Sequence, residues 1–144
     1  MAILTVFPAG ATPSLPDDHA AGGSVEVHVE GLRSTKGMIR VCLTRDRSYY
    51  PHCDRDPEAL HVSADAGAGA AIRVAAVPAG DYALLVLHDE NANRRVDTML
   101  GIPREGVGFS RNPRLFMGPP SFDSVRFAIS GKQVEQTVQM RYFL

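Results

Sequence analysis

The chain has 144 residues, with 15 Lys+Arg against 16 Asp+Glu and a formal net charge of -1. A single domain of this size buries roughly 68–70% of its unfolded surface, so it needs neither metal nor disulfide to hold a core. The charge balance argues against a nucleic-acid or polybasic membrane-surface partner, and no stretch reaches the roughly 20 apolar residues of a spanning helix. Ten Pro and 13 Gly suit a chain broken often by turns.

Residues 2–7 are apolar but follow no Lys or Arg, so they are not a complete signal peptide. Ala9-Gly10-Ala11 resembles a cleavage site, which points to a secretion-signal remnant. The competing readings are a loosely packed tail or a strand added to a neighbouring subunit. The last would make the chain an assembly subunit. Residues 8–23 carry Pro8, Pro13, Pro16, Gly22 and Gly23 and read as a linker. The organisation expected is thus an N-terminal segment and linker over 1–23 and one domain over 24–144.

Val25, Val27 and Val29 alternate with Glu26, His28 and Glu30, which marks a half-buried strand. Ser34-Thr35-Lys36-Gly37 is a turn, and Ile39, Val41 and Leu43 lead a second strand, read as closing a hairpin. Residues 45–69 lack a clear pattern. A third strand starts at Ile72 and runs to Val77. The continuous apolar run Tyr82 to Leu87 suits a central strand buried on both faces. The stretch 88–123 is polar and rich in Gly and Pro, and so long a loop tends to be functional. Val125, Phe127 and Ile129 alternate as a further strand, Gly131-Lys132 signals a turn, and a last strand carries Val134, Val138, Met140 and Tyr142. About seven short strands and no amphipathic helix predict an all-β, antiparallel β-sandwich.

Cys42 and Cys53 are the only cysteines. Their even number and the signal-like N-terminus favour a disulfide over two free thiols, and no Cys-x-x-Cys spacing supports a metal or redox pair.

Asp89, Asn91, Asn93 and Asp97 sit at offsets 0, 2, 4 and 8, with the Arg95 carbonyl at offset 6. That spacing matches the first part of a calcium loop, because a hard cation needs six to eight oxygens and alternate residues of a coiled loop can aim theirs inward. Arg94 replaces the usual Gly at the sharp turn, and Leu100 replaces the bidentate Glu. A missing ligand would have to come from Glu105 or Asp123. The competing reading is a polar loop of Asx turns.

The ordered set His88-Asp89-Glu90-Asn91-x-Asn93, Asp97, Gly101-Ile102-Pro103-x-Glu105-Gly106-x-Gly108-Phe109-Ser110-x-Asn112 and Gly118-Pro119-Pro120-Ser121-Phe122 is joined upstream by Gly31-Leu32-Arg33-Ser34 and Pro78-Ala79-Gly80-Asp81-Tyr82-Ala83. Together these resemble the exported bacterial proteins of domain-of-unknown-function family 2141, over about residues 24–143. The resemblance implies a prealbumin-like or Ig-like sandwich in the periplasm or secreted. It implies no activity. Members often have Gly where this chain has Arg94, a departure that bears on calcium binding.

An enzyme would need a nucleophile or an acid–base pair. His88, Asp89 and Ser121 are the available pieces, but Ser121 has no Gly-x-Ser-x-Gly elbow. Transthyretin-like hydrolases end in Tyr-Arg-Gly-Ser, whereas this chain ends Arg141-Tyr142-Phe143-Leu144. No catalytic residue is assigned. Phe109, Phe116 and Phe122 read either as a recognition surface or as anchors that pin the long loop. The sequence therefore points to a non-catalytic binding or structural module whose partner is a protein or surface ligand. Calcium is its expected ion, and a homo-oligomer is left open. A hydrolase with its site near His88 is the alternative.

Overall fold

Strand β1 (Gly23–Glu30) follows from its valines: Val25, Val27 and Val29 are buried, and the residues between them face outward. A computed structural model of the chain describes residues 22–68, 71–92, 98–99, 102–103, 105–115 and 118–143. The N-terminal segment discussed above lies outside them, apart from its last residues. Strand β1 is the centre of a three-stranded sheet, between β4 (Ala71–Val77) and β10 (Gln133–Gln139). It runs antiparallel to β4 and parallel to β10, with Ser24 opposite Gln133 and Glu30 opposite Gln139.

The second sheet has five strands. Strand β5 (Gly80–Asp89) pairs with β2 (Met38–Thr44) on one side and with β8 (Gly106–Phe109) on the other. Strand β3 (Leu60–Asp65) extends the β2 edge, and β9 (Phe127–Ile129) pairs with the first residues of β5. The two sheets face each other across Val25, Val27, Ile39, Val41, Leu43, Val74, Leu84, Val86 and Val138. The fold is an all-β sandwich, as the strand pattern predicts, with one parallel pairing in an otherwise antiparallel scheme.

Four details depart from the sequence reading. Strands β1 and β2 do not form a hairpin; the turn between them carries the chain from one sheet to the other. Alternation says which face is buried, not which strand is the neighbour. Residues 60–65 form strand β3 rather than irregular chain. Leu60, Val62 and Ala64 alternate at every step with exposed His61, Ser63 and Asp65, but the run is only six residues long and passes straight into an Ala/Gly tract that reads as a flexible connection. Val125 belongs to a one-turn helix, α1 (Phe122–Val125), capped by Ser121. The long loop also contains β8 and a two-residue ladder between β6 (Thr98–Met99) and β7 (Ile102–Pro103).

The apolar run in β5 is fully buried on its inner face and, on its outer face, buried at Ala83 and half-buried at Leu85 and Leu87. Tyr82, Leu84 and Val86 point into the main core. Ala83 turns outward into a second small core with Phe109, Phe122 and Val125, where Tyr50, Leu85 and Leu115 add partial cover. Phe109 and Phe122 therefore pin the loop onto the outer face of the sheet; Phe116 lies outside the described residues. Tyr50 stacks edge-on to Phe122 and donates to the Pro120 carbonyl at 2.6 Å. Burial pushes its phenol up to about 12.

Cys42 and Cys53 are disulfide-bonded, with their Cα atoms 6.3 Å apart. The bridge fastens the irregular segment after β2 to the sheet. Among the described residues, no helix is long and apolar enough to cross a membrane. Replacing both cysteines by serine is expected to lower unfolding free energy by about 3 kcal/mol, given the short loop closed. Urea denaturation under matched conditions measures this.

Candidate functional site

The last residues of β5 are polar and buried. His88 and Asp89 each show 0% exposure. Successive strand residues point to opposite faces, so the two look in different directions and each needs its own partners.

His88 points between the sheets. Its Nε2 donates to the Lys36 carbonyl at 2.8 Å, since a carbonyl can only accept. Its Nδ1 lies 2.7 Å from the Tyr142 hydroxyl. That hydroxyl in turn accepts the Arg33 backbone N–H at 3.2 Å. The Tyr142 ring meets the His88 ring edge-on, and the Arg33 guanidinium lies 4.6 Å from the tyrosine centroid. Burial raises the Tyr142 phenol above its ordinary value. Gly106 makes the close approach feasible, because a Cβ there would fall on the tyrosine ring.

Asp89 points to the outer face, where Arg40 Nε donates to its Oδ2 at 2.8 Å. Arg40 also donates to Ser63 Oγ on β3. Glu90 follows on the turn and accepts from the Arg33 guanidinium and from Ser34 Oγ at 2.9 Å. The Arg33 hydrogen bonds hold the Glu90 carboxyl below the usual carboxylate value. The Glu90 backbone N–H donates to Oε2 of Glu105, itself 5% exposed, at 3.1 Å. Ala92 N–H returns to the Asp89 carbonyl at 3.2 Å, so the chain starts to coil at once.

Of the five residues read as calcium ligands, Asp89 and Asn91 are described; Asn93, Arg95 and Asp97 lie outside the described residues. Asp89 ends a strand and is tied to Arg40, and Asn91 is exposed on the turn. The two candidates for a further ligand separate cleanly. Glu105 sits beside Glu90. Asp123 belongs to α1, bonded to Arg47 and near Arg126. Arg47 follows Thr44, and Thr44 pairs with Ala83 near the opposite end of β5 from Asp89. Asp123 and Asp89 therefore lie toward opposite ends of β5. Ser121 is at that far end too, where its hydroxyl caps α1, so it and His88 do not meet.

The motif residues downstream of the loop have structural work. Ser110 Oγ accepts from Leu84 N and donates to the Val125 carbonyl at 2.6 Å, joining the main sheet to α1. Asn112 donates to the Thr137 carbonyl and accepts from Gln139 N, which satisfies the outer edge of β10. A Cβ on Gly108 would fall on Val138. Among the described residues, no buried side-chain nitrogen or oxygen lacks a partner.

Spacing analysis along the chain found the loop but missed Arg33, Ser34, Arg40 and Tyr142 as its supports. The one signal for the first two was the Gly31-Leu32-Arg33-Ser34 segment in the resemblance.

The fold and this end of it define a β-sandwich whose central strand delivers a polar loop onto a rigid, internally hydrogen-bonded base. The chain belongs to the family described as "Uncharacterized protein conserved in bacteria (DUF2141)", whose family model matches residues 27–137. No curated protein and no solved structure matches it.

The depressed Glu90 carboxyl has a pH consequence. A group whose folded value is lowered gives stability above its unfolded value and loses it as pH falls through the folded one. Glu90→Gln is therefore expected to be less stable than wild type at neutral pH, and the gap should narrow as pH falls below about 4.5. Urea midpoints of both proteins across this range test it; a gap independent of pH contradicts the assignment.

Proposed function

We propose that this protein is an exported, non-catalytic binding module that works in the periplasm or as a secreted protein. Its binding element is the loop 89–97, and calcium is the ion that stiffens it. The observation that carries this reading is the base of the loop. Glu90 takes donors from Arg33 and Ser34, Asp89 is held by Arg40, and His88 is locked behind them. A base held this firmly needs little further ordering when a ligand binds beside it.

The same base speaks for binding rather than turnover. A ring with no exposure and both nitrogens engaged offers no atom to a substrate. The disulfide supports an oxidising compartment. Arg40 beside Asp89 opposes a cation, and the sequence adds the positive charges of Arg94 and Arg95 to the same stretch, so affinity belongs in the weak range of extracellular modules, about 10⁻⁴–10⁻³ M.

Calcium at ten times such a dissociation constant stabilises by about 1.4 kcal/mol. For a chain of this size that is a rise in melting temperature of about 3–5 °C over protein in chelator. Asp97→Asn should abolish the increment. Melting that is the same in about 10 mM calcium, ten times the weakest constant of that range, and in chelator rejects the calcium-stiffened loop.

A further inference from the structure

The outer face of the three-stranded sheet holds a group that the loop does not use. Glu26 and His28 alternate on β1 and so share a face, and Glu135 stands directly opposite Glu26 on the parallel strand β10. One donor atom from each of the three lies within 4.8 Å of the others. We propose that Glu26, His28 and Glu135 form a binding site for a divalent transition-metal cation of the zinc type.

The strand register is the first reason. Two carboxylates held opposite each other on paired strands repel, and like charges in that position destabilise a sheet. The pairing fixes their backbones, so rotation can relieve the repulsion only in part. Arg73 on β4 is in register with Glu26 on the other side, one positive charge against two carboxylates. A dication between Glu26 and Glu135 turns the repulsion into shared attraction.

The donor set is the second reason. His28 Nε2 already lies 3.2 Å from Glu26 Oε1. Gln133 Nε2 donates to the other oxygen of Glu26 at 3.2 Å, which orients that carboxylate as an outer-shell partner does. One imidazole with two carboxylates suits zinc, nickel or copper(II) better than calcium, which prefers oxygen alone. Zinc bonds to nitrogen and oxygen run about 2.0–2.2 Å in a tetrahedral arrangement, so neighbouring donors around one ion stand about 3.4 Å apart. The three donors, all within 4.8 Å of one another, reach that spacing by side-chain rotation of about an ångström. His28 and Glu26 side chains are 38% and 33% exposed, which leaves a fourth position open to water.

Titration calorimetry of untagged full-length protein with zinc chloride at neutral pH tests the site. One zinc per chain is expected. His28→Ala and Glu135→Gln should each weaken binding by at least about tenfold, in line with the loss caused by disturbing a metal site. All three positions face solvent, so the variants are expected to keep the wild-type far-ultraviolet circular dichroism. Thr137→Ala, directly opposite His28 on β10, removes none of the three donors and should leave the isotherm unchanged. Absence of binding in wild type at millimolar zinc, or an isotherm that His28→Ala leaves untouched, overturns the proposal.

Discussion

Strand β5 ends in two residues that are polar and wholly buried, and that burial constrains everything around them. A buried polar group without a partner costs about 1–3 kcal/mol, and a buried charge without one costs more. The chain must therefore bring partners to His88 and Asp89 from elsewhere. They come from the turn before β2, from β2 itself and from the C-terminal end: Lys36, Arg40 and Tyr142. Two segments distant in sequence, the stretch from Lys36 to Arg40 and the one at Tyr142, are fixed at one end of the sandwich by the demands of two neighbouring side chains.

The loop after β5 inherits its position from this arrangement. Glu90 leaves the strand already engaged by Arg33 and Ser34, and its N–H is held by Glu105 on the returning chain. Both ends of the excursion are thus tied to the same knot. The motif residues further on do a different job. Ser110 and Asn112 bind the returning chain to Leu84, Val125 and β10, while Ser121 and Phe122 close the second core at the far end. Most described residues of the motif hold the scaffold.

The sequence reveals those parts of the fold that depend on burial alone. The valines of β1 and the unbroken apolar run of β5 announce one-sided and two-sided burial directly. Strand β3 escapes although its faces contrast, because its six alternating residues lie between irregular chain and an Ala/Gly tract that carries no strand signal. The parallel partnership of β1 with β10 escapes because periodicity carries no information about neighbours. At the site, the offsets of Asp89, Asn91, Asn93 and Asp97 single out the loop. The His88–Tyr142 contact joins residues 54 positions apart, and the Arg40–Asp89 pair joins residues 49 apart. No local pattern encodes such pairs; only the folded register does.

The most direct measurement of this account is the proton on the His88 ring, read by long-range ¹H–¹⁵N nuclear magnetic resonance with the half-exposed His28 as internal reference. A proton on Nε2 of His88, exchanging with water far more slowly than that of His28, is the predicted result. An Nε2 without a proton, or one that exchanges as fast as His28, would show that the buried strand end is not tied to Lys36 and Tyr142, and the base of the loop would lose its foundation.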